Sequence, residues 1–374
     1  MTAPSHLYLI PGFFGFADIG DFRYFDHLHR ALEDALAARG LRMQIHDVHT
    51  RPTASLSARA ARLLEVMAAT AGHDRAHLHL IGHSTGGLDA RMLLTPGVGL
   101  PTSVAVEPFA SRVRSVVSLA TPHRGAPLAA ALSSSQGQQL LRLLSLSALH
   151  VIRVGPIQDS IRAGLASLIP GRVFPAGLAQ QLHADLIADF SPARQLQVEA
   201  LLDDVVSDHS LLTQLRPEGV ELINALGRAR PQVARGCVVT AAPAPSLRTA
   251  VGAGTSVGHH ASRSLYNQLH RLAGRLPETY RPELEGPVRD RLAKAGAHFL
   301  EDGANDGMVP ARSQIWGELV GAWSADHLDI IGHFDAPTRK PPHRDWLFSG
   351  SGFGPREFEA LCDALAAFIE RAEA

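Results

Sequence analysis

Residues 77–94 read HLHLIGHSTGGLDARMLL. The first five of these form an apolar run of strand length, and the residues after Ser84 open a helical pattern. Between the two lies Gly82-His83-Ser84-Thr85-Gly86, a G-x-S-x-G segment. A serine at a sharp strand-to-helix turn takes a strained backbone conformation, so the residues two before and two after it must lack side chains for the chain to fold back. Gly82 and Gly86 fill those places. The helix beyond then aims its dipole and free N–H groups at Ser84 Oγ, which favours developing negative charge there. An incidental serine in a glycine-rich loop is the bland alternative, and the strand before and the helix after weigh against it.

Working outward, residues 6–10 read as a short buried strand that runs into a Gly- and Phe-rich turn at 11–15. Phe25, Leu28, Leu32 and Leu36 then recur at helical spacing, and Gly40 ends the pattern. A strand near 41–48, a helix over 57–70, the strand at 77–81 and another at 113–120 follow. Strands alternating with helices predict an α/β fold, a mostly parallel sheet covered on both faces. Between residues 125 and 235 the rhythm becomes largely helical, with the Leu-dense QQLLRLLSLSALHVIRV at 138–154. That stretch is too apolar for a solvated helix, so it packs on the sheet or covers an apolar cleft. Strand signals return at 237–242 and 319–323 around a helical insertion near 262–297, and Phe358, Leu361, Leu365 and Phe368 mark one face of a final helix. The expected organisation is a core from residues 1–125 and 236–374 with a helical cap or lid from 126–235.

A serine nucleophile needs oxyanion donors and a base. The backbone N–H groups of Phe13, in the first turn, and Thr85, just after the serine, are the expected donors. In the α/β-hydrolase order the carboxylate follows the serine and the histidine comes last. Asp306 lies in a turn after residues 297–300, and His327 lies just beyond the strand ending at Trp323, so both are expected at strand ends. Asp302 is the rival acid; His298, His333 and His343 are rival bases. His298 precedes both carboxylates and breaks the order, while Ile330 and Ile331 turn the chain inward before His333.

With these residues in place, the chain resembles the bacterial triacylglycerol lipases of the Pseudomonas and Burkholderia type. The likeness rests on LIPGFFG at 9–15, LIGHSTGGLDAR at 80–91, VVSLATPHRGAPLA at 116–129, GANDGMVP at 303–310 and DHLDIIG at 326–332. It implies an α/β-hydrolase fold, a triad of Ser84, Asp306 and His327, action on lipid or other apolar esters with transient contact to a lipid surface, and a mobile lid after TPHRG. Pro11 stands where the family usually has His. The resemblance also implies a structural Ca²⁺ held by the aspartate two residues after the histidine, here Asp329. Upstream of the acid, Glu283, Glu285 and Asp290 offer no clear counterpart to the family's second aspartate, and Ca²⁺ takes roughly six to eight oxygens. No cofactor is therefore expected to be required, and calcium at Asp329 is left open.

Composition narrows the alternatives. Lys plus Arg is 35 and Asp plus Glu is 36, a formal charge of −1, so there is no basic footprint for nucleic acid. No stretch has the length and apolarity of a membrane span, and no secretory signal is visible at the start. Cys237 and Cys362 are too few for a disulfide framework. These features predict a cytoplasmic protein. Twenty histidines invite a metal-hydrolase reading at His77, His79 and His83, but no acid lies between them. A thioesterase or acyltransferase would use the same acyl-serine, and a non-catalytic lipid-binding module would show a degenerate site.

Overall fold

The computed structural model describes residues 4–13, 24–154, 157–158, 160–161, 164–165, 177–208, 210–227, 230–244 and 257–374. Six strands, β1 (Ser5–Ile10), β2 (Met43–Asp47), β3 (Leu78–His83), β4 (Val113–Leu119), β5 (Ala234–Ala241) and β6 (Glu318–Ser324), pair in parallel in the order β2-β1-β3-β4-β5-β6. The central strands are buried almost throughout, whereas the edge strands β2 and β6 are largely part-exposed, which is why the central segments read as continuous apolar runs.

Alternation along the strands builds two cores. Tyr8, Ile10, Leu78 and Leu80 face α2 (Leu56–Ala71) and α3 (Thr85–Leu93), while Leu7, Leu9, Ile81 and Val117 face α1 (Asp26–Ala38) and the C-terminal helix Pro355–Glu373. The predicted faces hold: Leu28, Leu32 and Leu36 of α1 and Phe358, Leu361, Leu365 and Phe368 of the last helix are all buried in one cluster. Ser55 caps α2, its Oγ accepting from the Ala58 N–H at 3.3 Å. A short α4 (Glu107–Ala110) precedes β4.

The stretch between β4 and β5 contains α5 (Pro127–Leu132), α6 (Ser135–Arg153) and the helices Leu178–Ala188, Pro192–Ser207, Ser210–Gln214 and Pro217–Leu226. Between β5 and β6 come the helices Val257–Ala273 and Gly286–Ala295. Residues Ala297–Leu300 form a 3₁₀ turn, not the strand that the placing of Asp306 presumed. Asp306 is instead brought to the sheet by an isolated bridge between Asn305 and Ala242, just past the end of β5.

This is the α/β-hydrolase architecture. The chain steps from β1 to one side to form β2 and then returns across it to β3, so the direction of winding reverses between β1 and β3. Crevices outside the carboxyl ends of strands at such a reversal are where open parallel sheets bind ligands. The turn after β1 and Ser84 after β3 both stand there. Among the described residues no helix is long and apolar enough to cross a membrane.

Candidate active site

Ser84 follows β3 directly, with φ 54° and ψ −126°, a conformation that side-chain-bearing residues rarely adopt and that costs about 1–3 kcal/mol. The elbow is closed by close packing. A Cβ on Gly82 would overlap the Gly86 and Gly87 backbone, and one on Gly86 would overlap the carbonyl of Ile10. The turn after β1 is pressed against the serine, since a Cβ on Gly12 would overlap Ser84 Cβ. Phe13, the next residue, lines the same cavity as Ser84, Thr85 and His327. Thr85 is the first residue of α3, so its N–H is one of the donors a helix leaves without an internal partner.

The structure brings Ser84, His327 and Asp306 together. His327 Nε2 lies 2.9 Å from Ser84 Oγ, and His327 Nδ1 lies 2.8 Å from Asp306 Oδ2. Asp306 is fully buried and four groups besides His327 donate to it: the N–H groups of Met308 (3.0 Å) and Val309 (2.7 Å) to Oδ1, and Thr240 Oγ1 (2.8 Å) and Gln314 Nε2 (3.3 Å) to Oδ2. The His327 N–H also donates to the Asp306 carbonyl at 3.0 Å, so backbone as well as side chain joins the two turns.

The rivals lie elsewhere. Asp302 is exposed and faces Arg281 at 3.5 Å. His298 Nε2 bonds the Ala241 carbonyl, and His343 Nδ1 donates to the Gly332 carbonyl and stacks on His27. His333 is buried edge-on to His27, with Ile330 and Ile331 buried before it. The three-histidine metal reading does not assemble either. His77 and His79 share the carboxylate of Glu373, at 2.8 and 2.7 Å. His83 accepts from the Tyr24 hydroxyl at 2.6 Å and donates from Nε2 to the His327 carbonyl at 2.8 Å. Burial, with His327 alongside, holds its pKa well below the usual imidazole range, so it stays the neutral strut those two bonds require.

Two supports escaped the sequence reading. Arg59 of α2 is completely buried, pairs with Asp89 of α3 through Nε (3.0 and 3.1 Å) and Nη2 (2.8 Å), and donates from Nη2 to the carbonyl of Pro11 at 2.7 Å. It therefore ties the β1 turn to the helix that begins at the elbow. The second support is the loop after β6, where Asp326, Asp329 and Asp345 each bring an oxygen within 4.8 Å of the others. Among the described residues this is the only grouping of three or more such side chains with metal-ligand spacing. Burial raises all three pKa values, Asp326 to about 7 with Asp306 adding to the rise, and Asp326 further raises Asp329 and Asp345 by repulsion; Asp326 Oδ2 is buried without a hydrogen-bond partner. The Asp329 position had a signal in the sequence; Asp345, in a loop with no periodicity, had none.

The cavity over Ser84 is about 60 Å³, small against the roughly 300–1,000 Å³ of ligand pockets. Its walls are almost entirely apolar and include Leu128 of α5, Leu141 and Leu144 of α6, Leu212 and Met308. A larger groove of about 550 Å³ between α1 and the C-terminal helix, lined by His27, Lys340 and Phe358 among others, touches neither Ser84 nor its partners. The site is marked by chemistry, not by size.

No protein-family model matches the chain, and no curated protein matches its sequence. Solved structures do. The chain is similar to EstA from Clostridium botulinum, with a TM-score of 0.54 and 19% identity over 98% of this chain and 87% of that one. It is also similar to lipase 1 from Pelosinus fermentans, with a TM-score of 0.51 and 16% identity over 98% and 99% of the two chains. At these identities the likeness shows the fold.

Proposed function

We propose that the chain is a lipase-like carboxylic ester hydrolase that works through an acyl-serine intermediate. The observation that carries this reading is the unbroken relay from Ser84 Oγ through His327 to the buried Asp306, at the floor of an apolar cavity. In the proposed mechanism His327 Nε2 takes the Ser84 proton as Oγ attacks the ester carbonyl, then gives it to the departing alcohol. The same nitrogen next activates a water that releases the acid. Asp306, accepting from Nδ1–H, holds the imidazole in the tautomer that leaves Nε2 free to accept. The N–H groups of Phe13 and Thr85 receive the tetrahedral oxyanion.

Kinship with the Pseudomonas and Burkholderia lipases rests on the five sequence blocks, and one fold neighbour is itself named a lipase. The apolar lining favours substrates with hydrocarbon acyl groups, and the small volume means that α5 and α6 must shift for a long chain to enter. This is the lid of the proposal, and it belongs to the 126–235 insertion. A structural Ca²⁺, implied by the same kinship, finds a fitting all-oxygen donor set in Asp326, Asp329 and Asp345. Bound there it would supply the positive charge that three adjoining carboxylates lack, next to the loop bearing His327.

The test is hydrolysis of p-nitrophenyl butyrate together with labelling by a serine-directed phosphonate. Ser84→Ala abolishes both with the fold intact, His327→Ala is nearly as damaging, and the double variant is scarcely worse, because triad members act as a unit. Asp306→Asn lowers kcat by about 10⁴-fold, the size seen when a triad carboxylate loses its charge, while Asp302→Asn stays near the parent. Substantial hydrolysis by Ser84→Ala would overturn the proposal.

A further inference from the structure

On the α3 side of the sheet, away from Ser84, cationic side chains gather around one indole. Trp316, just before β6, has the guanidinium of Arg91 over its ring at 5.6 Å and that of Arg235 at 5.8 Å, and His123 stacks on it with centroids 4.9 Å apart. Arg124 adjoins His123 in the chain and repels Arg91. Arg91, Arg230, Arg235 and Trp316 line a small pocket of about 50 Å³ that Gly227 closes on one side.

The charges there are not balanced. Arg230 is satisfied, fork to fork, by Glu107 at 2.7 and 2.8 Å. Among the described residues no carboxylate forms a salt bridge with Arg91 or Arg235, and the exposed Glu221 stands 3.9 Å from Arg124. Burial, Arg124 and Arg235 together push the pKa of Arg91 down to about 10, so bringing these cations together costs energy that the indole contacts and Glu221 offset only in part. The carbonyl end of α3 favours a cation at Arg91, but it does not account for Arg235 joining it.

We propose that the Arg91, Arg235 and Trp316 pocket is an anion-binding site for a phosphate group, inorganic or carried as a phosphomonoester. A guanidinium offers two parallel N–H donors that match phosphate oxygens, and two such groups at one pocket match a dianion. The indole is already covered by His123 and two guanidiniums, so the ligand is held by its oxygens and not by an aromatic base.

The experiment titrates inorganic phosphate into the full chain by calorimetry and follows the melting temperature against sodium chloride at equal ionic strength. Saturable binding and a melting temperature raised by phosphate beyond chloride are expected, because a ligand that binds only the folded state stabilises it. Arg91→Gln and the more tolerant Arg235→Gln each weaken binding by about tenfold or more, the loss of a charge-assisted hydrogen bond, while esterase activity stays at the parent level. Glycerol 3-phosphate binding in competition with inorganic phosphate identifies the phosphomonoester as a ligand of the same pocket. Phosphate behaving like chloride, or binding unchanged in a folded Arg235→Gln, would overturn the assignment.

Discussion

The Arg59–Asp89 pair offers a way to separate what holds the fold from what holds the oxyanion turn. Burial raises the Asp89 pKa to about 6 against an ordinary 3.8, even with Arg59 opposing the shift. The sign follows from proton counting. Between the two values the folded chain keeps a proton that the unfolded chain has lost, so stability falls as pH rises through that window and stays lower above it. At neutral pH the net penalty is roughly 3 kcal/mol, from about 1.4 kcal/mol per pH unit. Removing Arg59 alone leaves Asp89 buried without its cation, so Arg59→Met loses about 3–5 kcal/mol of stability. Replacing both, as Arg59→Met with Asp89→Leu, removes the penalty and leaves stability near the parent or above it. The Pro11 carbonyl, however, has lost its 2.7 Å anchor in both variants. If that anchor positions the turn carrying the Phe13 N–H, the stable double variant loses kcat by about 10²-fold with little change in KM, since a misplaced oxyanion donor is felt in the transition state. The assay is steady-state hydrolysis of a soluble butyrate ester alongside urea unfolding. A double variant as active as it is stable would refute the positioning role and leave the pair as packing alone.

Three further outcomes are expected. Leu144→Ser, which opens the cavity wall, lowers kcat/KM for a long-chain ester about tenfold more than for a butyrate ester, one to two buried methylenes' worth. Leu149 is equally buried in α6 but does not line the cavity, so Leu149→Ala lowers the melting temperature and affects both esters alike; equal losses for Leu144→Ser would make that helix ordinary core. Glu373→Gln destabilises at pH 7, because the His79 hydrogen bond holds the Glu373 carboxyl well below its ordinary 4.5; the difference in melting temperature from the parent narrows as pH falls below 4.5, and a constant gap in that range refutes the pairing. Calcium chloride raises the melting temperature relative to EDTA in the parent and not in Asp345→Ala; an equal response in both rules out the three-aspartate site.

What the sequence made legible were features whose cause lies within a few residues. The elbow needs Gly82 and Gly86 two places from Ser84, and the central strands read as apolar runs because both faces are covered. Helical spacing likewise marked Leu28, Leu32 and Leu36 as one buried face. What stayed illegible depends on which elements the sheet order makes neighbours. Arg59 reads as an ordinary polar residue of an amphipathic helix, and only the packing of α2 on α3 shows it meeting Asp89 thirty residues on. Thr240 and Gln314 reach Asp306 because the end of β5 is bridged to the acid's turn, a contact that no local spacing encodes.

The histidines make the same point in reverse. Their number suggested a shared ligand set, but among the described residues only His77 and His79 share a carboxylate partner, Glu373, while His83 and His6 are held by other groups. His79 stands opposite Ser115 in the β3–β4 ladder and bonds its hydroxyl at 2.7 Å, with Glu373 of the last helix on its other nitrogen. His6 of β1 stands opposite Gln44 of β2, and His46, two residues further along the same face, meets its Nδ1 at 2.8 Å while Asp74 takes Nε2 at 2.9 Å. Residues 36 or 40 positions distant in the sequence are thus joined. In a parallel sheet, a histidine count constrains chemistry only after the strand order is known. The order Ser84, Asp306, His327 could be read beforehand because the winding of this fold delivers those three turns to one edge of the sheet.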